Sequence, residues 1–273
     1  MTIIQCGRFE LDLSRPKVMA IINLTDDSFT GDGSRGDLDS TMRRVEQVLE
    51  EGADMLDIGA ESSRPGAEQV PEAQELERVV RCVERLHGLN VPLSIDTLKP
   101  AVMRAAIEAG ADMINDINAF LAAGAIEAVA CGKVGLCVMH MQGEPRTMQK
   151  NPVYGDVVED VAAYLAERVH ALEAAGVARN RIVLDPGFGF GKTVEHNFAL
   201  LRDLERFGRE GLPVLAGLSR KAMLGTVTGR PVGQRMVASV AAALIAVQRG
   251  AGIVRVHDVG DTLDALKVWE AVS

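Results

Sequence analysis

Three stretches, "EEGADMLDI" (50–58), "EAGADMIND" (108–116) and "QRGAGIVRV" (248–256), share one order: a helix end, a glycine, a small residue, then a β-rich run. A glycine just past a helix takes left-handed backbone at little cost. Gly52, Gly110 and Gly250 therefore mark places where a helix hands over to a strand, and Gly176 does the same before "RIVLDP" (181–186). Working outward from these junctions gives eight short β-rich runs. They are "VMAIINL" 18–24, "MLDIGA" 55–60, "PLSID" 92–96, "MINDI" 113–117, "LCVMH" 136–140, "IVLDP" 182–186, "PVLAGL" 213–218 and "IVRVH" 253–257. Helical periodicity fills most intervals. "DSTMRRVEQVLEEG" is apolar at Met42, Val45, Val48 and Leu49, and "EAQELERVVRCVERLHG" at Leu76, Val79, Val80, Val83 and Leu86. The interval after "MINDI" is weaker, with only "AGAIEAVACG" available. Near-continuous apolar strands alternating with helices predict a parallel sheet covered on its faces. Eight units predict an α/β fold, a (β/α)8 TIM barrel, in which "IIQCGRFELDL" forms a short N-terminal β-hairpin over the barrel bottom. One domain over residues 1–273 is expected, with no linker.

In such a barrel the chemistry gathers at the C-terminal strand ends. Here every strand ends in a polar group: Asn23, Asp57 with Glu61, Asp96, Asn115 with Asp116, His140, Asp185, Ser219 with Lys221, and Arg255 with His257. Each alone has a bland explanation, since strand ends lie near solvent. Asp96 and Asp185 would ordinarily cap the next helix, although Thr97 is placed to cap in place of Asp96. All eight together, acids and amides in the middle and cations on the last two strands, point to a pocket for a polar heterocycle with an anion near its mouth. Arg255 and His257, two apart, share one face of an ideal strand.

"RIVLDPGFGFGKT" (181–193) looks at first like a phosphate loop, but that pattern needs a glycine five positions before the Gly-Lys-Thr glycine. Pro186 stands there, with no N–H and a fixed φ. The reading fails, leaving the Gly-Lys-Thr ending incidental.

Composition sets the outer limits. The 273 residues are 47% hydrophobic and 25% charged, with seven Phe, two Tyr and one Trp, so aliphatic residues must fill a sizeable core. A formal net charge of −9 argues against nucleic acid or an anionic membrane surface as partner. No run reaches membrane-span length and the N-terminus lacks a secretory layout. Cys6, Cys82, Cys131 and Cys137 have no paired spacing and read as buried free thiols in a reducing cytosol, so a cytoplasmic location is expected.

Read in order, "IINLTDDSFTGDG" (21–33), "DIGAESSRPGA" (57–67), "SIDTLKP", "NDI", "VMHMQGEPRTMQ", "LDPGFGFGKT", "SRKAMLG" and "RVHDV" resemble the dihydropteroate synthases, across essentially the whole chain. The resemblance implies a transferase of folate biosynthesis that joins p-aminobenzoate to a pterin diphosphate and expels pyrophosphate. It implies a pterin pocket of Asp96, Asn115, Met139, Asp185, Lys221 and Arg255, with Arg255 lying over the pterin plane. Ring N–H and amine donors suit the acids and amide; carbonyl and ring-nitrogen acceptors suit the ammonium. It implies a diphosphate site of Asn23, Ser63, Arg64, Arg255 and His257, with Mg²⁺ bridging Asn23 and phosphate oxygens. It implies a p-aminobenzoate site of Phe29, Ser63, Pro65, Phe190 and Lys221. Asp96, Lys221, Arg255 and His257 would carry the catalytic electrostatics, and His140 would be structural. "GFGFG" would be the loop that lets backbone and Phe190 approach both substrates. The family also implies sulfonamide binding and a homodimer, for which "RMVASVAAALIAVQR" (235–249), apolar nearly all round, is either an interface or deeply buried.

The chain departs from the family pattern in its first loop, where Asp26 replaces proline and the later acid stands at Asp32 behind Gly31. It also has Ser63 for threonine and Ala222 for the usual Ser or Thr. A corrinoid-linked methyltetrahydrofolate methyltransferase would share the pterin acids but needs neither the cationic diphosphate site nor the "SRPG" loop. A non-catalytic folate- or phosphate-binding paralogue is favoured only by the altered first loop.

Overall fold

The computed structural model describes residues 2–24, 36–61 and 70–272. A hairpin, β1 (Ile3–Cys6) with β2 (Phe9–Asp12), precedes the barrel strands β3 (Lys17–Asn23), β4 (Met55–Gly59), β5 (Leu93–Asp96), β6 (Met113–Asp116), β7 (Gly135–Met139), β8 (Ile182–Asp185), β9 (Val214–Ala216) and β10 (Ala251–Val256). All barrel pairings are parallel, and β10 closes the ring between β9 and β3. Each of the eight runs read from the sequence is a barrel strand, all of them within two residues at either end.

The crossovers are α1 (Gly36–Glu51), α2 (Glu72–Leu86), α3 (Pro100–Ala109), α4 (Ala125–Val129), α5 (Val157–Ala174), α6 (Val194–Arg202), α7 (Glu205–Gly208), α8 (Ala222–Thr228), α9 (Met236–Gln248) and α10 (Val259–Glu270). The weak interval after β6 holds only the single turn and a half of α4. At Gly110, φ is +109° and a Cβ would come within 2.2 Å of His87 Nδ1, so the helix-to-strand junction there demands glycine. Thr97 does not cap α3: Lys99 is the N-cap, and the Thr97 hydroxyl instead donates to Glu75 at 2.5 Å. Asp96 is left to the barrel interior, as expected.

Strand alternation sorts the side chains into two cores. Outward-facing Val18, Ala20, Ile22, Leu56, Ile58, Ile95, Ile114, Leu136, Val138 and Leu184 pack against the helices. Inward-facing Met19, Met55, Met113, Cys137, Val183, Leu215 and Ile253 fill the lower lumen, and Ile4 and Cys6 of the hairpin close it from below. Asp112, fully buried at the start of β6, locks that closure by accepting from Arg8 N, Nε and Nη2 and from Leu93 N at 2.9–3.1 Å. Of the cysteines, Cys6, Cys82 and Cys137 are buried thiols, but Cys131, after α4, is exposed, against expectation. No helix among the described residues is long and apolar enough to cross a membrane.

Candidate active site

Two residues above the hydrophobic floor, the same inward faces turn polar. Asp57 in β4 follows Met55 by two, Asn115 in β6 follows Met113, Asp185 in β8 follows Val183, and Arg255 in β10 follows Ile253. Their convergence is therefore a product of period two. Asp57, wholly buried, accepts from Ser94 Oγ at 2.6 Å, Asn115 Nδ2 at 3.4 Å and Arg255 Nε at 2.5 Å. Arg255 Nη2 reaches Asp96 at 2.9 Å, so one guanidinium bridges two acids. Asn115 Oδ1 is buried with no hydrogen-bond partner among the described residues. A buried acceptor in that state costs on the order of 1–3 kcal/mol, which a ligand N–H would recover.

The electrostatics follow from burial of opposed charges. Desolvation pushes the Asp96 carboxyl up to about 7; Arg255 pulls it back, and Asp57 and Asp116 add to the rise. Burial raises Asp185 as well, opposed first by Lys221 and by its hydrogen bond from Gly187 N. The Lys221 ammonium is pushed down to about 8, burial outweighing the attraction of Asp185. For Arg255, burial would lower the pKa, but Asp57 and Asp96 together raise it, so it keeps its charge. The result is a desolvated site of alternating charges, aligned before any ligand enters.

Lys221 is placed by an unusual turn. Arg220 has φ +59°, held by its N–H to Ser239 Oγ at 2.9 Å and by a two-point pair to Asp258 at 2.5 and 3.2 Å. The turn sends Ser219 to His257 Nδ1, 2.9 Å away, and Lys221 to the Phe188 carbonyl and over the Phe190 ring at 4.7 Å. Met139 is buried beside Asp185 in the β7–β8 register. Asn23, exposed at the end of β3, and His257 line a cavity of about 490 Å³ with Arg44 and Arg220. Arg255 is not on that cavity's wall, having turned inward to Asp57 and Asp96. β10 ends at Val256, so His257 lies just beyond the strand, and it and Arg255 meet different partners. Phe29, Ser63, Arg64 and Pro65, and the altered loop positions Asp26, Gly31 and Asp32, lie outside the described residues.

His140 is structural. Its ring meets Tyr164 edge-on at 4.8 Å and Lys192 Nζ at 2.8 Å, and burial, then Lys192, pushes it down to about 3. Asp116 is also structural, accepting from Asn118 N and Phe120 N, and Glu61 pairs with Lys99 at 2.5 Å. The Gly-Lys-Thr ending is not incidental. Lys192 is a buried donor inside the loop, and Thr193 caps α6 with His196 completing a capping box. Sequence reading missed Asp57 as a site residue, although its place two after Met55 put it on the inward face; Ser94, its partner on β5, followed from the same alternation. Nothing in the sequence marked Lys192 as buried.

The chain matches the family model described as pterin binding enzyme over residues 19–257. It is 50% identical over 264 residues to the dihydropteroate synthase of Haemophilus influenzae, covering 96% of each chain. It superposes on the Burkholderia cenocepacia dihydropteroate synthase complexed with 7,8-dihydropteroate with a TM-score of 0.91 and 57% identity, covering 99% of this chain and 96% of that one. On the Xanthomonas albilineans dihydropteroate synthase with 4-aminobenzoic acid the TM-score is 0.93, at 49% identity and 99% and 98% coverage.

Proposed function

This chain belongs to the family of pterin-binding enzymes, and from that premise we propose that it acts as a dihydropteroate synthase. The p-aminobenzoate amine attacks the methylene of 6-hydroxymethyl-7,8-dihydropterin diphosphate. A C–N bond forms, the C–O bond breaks with its electron pair leaving on the diphosphate, and the amine proton passes to solvent. The observation that carries this reading is the inward polar tier of Asp57, Asp96, Asn115, Asp185 and Arg255, with an acceptor still unpaired on Asn115. Asp96, Asn115 and Asp185 would accept from the pterin N–H edge while Lys221 donates to its acceptors, with Met139 against the ring. Positive charge growing on the methylene is then shared by a ring lying among carboxylates, an arrangement fixed before reaction. Arg255, freed from Asp96 when the pterin takes that acid, would lie over the ring and meet the diphosphate with His257, Asn23, Ser63 and Arg64.

Mg²⁺ fits this arrangement without a dedicated cage. Among the described residues no three His, Cys, Asp or Glu side chains are grouped so that they could hold a metal ion. Asn23 offers one hard amide oxygen, and Mg²⁺ commonly takes few protein ligands beside substrate phosphates and water. Its chemistry there would be neutralisation of the departing diphosphate. Phe190 and Lys221, with Phe29, Ser63 and Pro65, would hold p-aminobenzoate or a sulfonamide that mimics it. The site is expected in a cytoplasmic enzyme of one barrel.

A homodimer is supported by α9. It buries Ala242, Ala243, Ala246 and Val247 against the barrel but leaves Met236, Val237 and Ile245 exposed at 37%, 73% and 43%. It is neither wholly buried nor polar outside, which suits a second copy; sedimentation would give one or two chains. The activity itself is tested by dihydropteroate formation from the pterin diphosphate and p-aminobenzoate with Mg²⁺. Absence of product with a folded protein that still binds pterin would reduce the reading to a binding protein.

A further inference from the structure

The loop between β8 and α6 is held by its carbonyls. Every one from Gly187 to Gly191 meets a side-chain donor: Lys192 at Gly187 (2.9 Å) and Phe190 (3.0 Å), Lys221 at Phe188, Gln149 at Gly189, and Tyr154 at Gly191 (2.7 Å). Lys192 alone of these donors holds two of the loop's carbonyls. It also meets His140 Nδ1 at 2.8 Å and the His140 carbonyl at 3.4 Å, so the loop is tied to the end of β7. The fit is close on that side as well: a Cβ on Gly187 would lie 1.8 Å from the His140 carbonyl, and one on Gly191 2.4 Å from that of Gln142.

We propose that Lys192 is a positioning residue for the second substrate, its buried Nζ fixing the curl that presents Phe190 beneath Lys221. This rests on the assignment of Phe190 to the p-aminobenzoate subsite. Lys192 is only 3% exposed, so it meets substrate only through the loop. Burial, then Lys192, pushes the His140 ring well below its ordinary pKa, so the ring is neutral and its Nδ1 can serve as acceptor. Burial pushes the Lys192 pKa well below its ordinary value; Asp185 opposes that and Lys221 adds to it. A buried polar nitrogen aimed at Gly187 O, Phe190 O and His140 Nδ1, inside a loop whose other donors are neutral or partly exposed, is better suited to fixing geometry than to adding stability.

The test compares Lys192→Met, Phe190→Ala and the double variant in steady-state kinetics, with calorimetric binding of a pterin analogue. Lys192→Met is expected to raise the Michaelis constant for p-aminobenzoate about tenfold, as misplacement of a positioning group does, with pterin affinity changed less than about threefold. The double variant should be no worse than Phe190→Ala, because residues acting through one another are not additive. Equal losses for both substrates, or an additive double variant, would show a merely structural role and overturn the proposal. Should Phe190→Ala leave the p-aminobenzoate constant unchanged, the subsite assignment falls and the positioning role with it. If Lys192→Met does not fold, the His140 pair answers the same question. His140→Gln keeps an acceptor for Lys192 and His140→Leu does not, so only leucine should raise the constant; equal effects would refute the role.

Discussion

At each end of the barrel lumen an arginine meets aspartate, and the two ends treat the pair differently. At the bottom, Asp112 takes two guanidinium donors from Arg8 and two backbone N–H groups, and Arg8 spends another donor on the His87 carbonyl at 2.6 Å. The carboxylate is satisfied and the hairpin is sealed to the barrel. At the top, Arg255 bridges Asp57 and Asp96, yet Asn115 Oδ1 has no partner, and burial holds Asp96 and Asp185 above the usual carboxylate range. One end spends its polar capacity on the fold, while the other holds capacity that a ligand can use. Carboxyls whose pKa is perturbed inside a cleft are candidates for function.

The largest effect should come from breaking the satisfied end. Asp112→Ala leaves Leu93 N and Arg8 N without their acceptor and Arg8 without its countercharge. Loss of a buried, multiply bonded carboxylate is expected to cost about 2–4 kcal/mol, read as a lower urea midpoint. Pterin-analogue affinity should stay within about threefold, since the change lies at the far end of the lumen. A variant of unchanged stability would mean the hairpin is not held by this pair.

The unsatisfied end should respond the other way. Asp96→Asn and Asp185→Asn each remove a charged acceptor from the proposed pterin pocket, weakening an analogue by about 1–3 kcal/mol in calorimetry. Stability should hold or rise, because a carboxyl held above its ordinary pKa is disfavoured in the folded state. If both variants bind the analogue normally, the tier is not a pterin site.

The tier was legible in the sequence because alternation along a strand fixes which side chains share a lumen. The residues that hold the tier were less so. Asp57 was visible as a strand-end acid, but its bond to Arg255 joins β4 to β10 past the intervening β3, and one strand's pattern says nothing of a partner 198 residues away. Lys192 was hidden more deeply. A lysine between glycine and threonine reads as a loop cation, and its burial depends on the Gly187 and Phe190 carbonyls curling back through left-handed glycines. Cys131 failed in the opposite sense: α4 is only five residues long, so the chain emerges into solvent where a longer helix would have stayed packed.

The pH dependence sharpens the contrast. Asp96 titrates near 7 in the fold against about 4 in an unfolded chain. The native state therefore holds the extra proton between those values, and this group's contribution to stability falls as pH rises from about 4 to 7. Pterin binding runs oppositely, because the donor edge wants the anion: affinity should drop by up to about tenfold per unit below pH 7. Above about 8, Lys221 loses its charge and its hold on anionic substrate weakens. A bell-shaped kcat/KM profile with limbs near these values is expected, with Asp96→Asn flattening the acid limb. An acid limb that survives the substitution would belong to another group.

The smallest effect tests where the tier ends. Ala222, the first residue of α8, is exposed and follows Lys221, which caps the helix without a side-chain hydrogen bond. Serine there would add a hydroxyl beside Lys221, where the carboxylate of p-aminobenzoate is proposed to bind. A hydroxyl donor to an anion is worth about 1 kcal/mol when the site stays partly wet. Ala222→Ser should therefore lower the Michaelis constant for p-aminobenzoate about threefold to fivefold and tighten a sulfonamide in parallel, since both share the anionic end. Pterin-analogue affinity should not move. The first loop also departs from the family pattern at Gly31 and Asp32, so the serine change is made alone and with those two residues exchanged. Serine acting in both backgrounds would extend the ligand-facing tier to α8. Serine silent alone, but active once the loop is exchanged, would assign the departure to the loop acid.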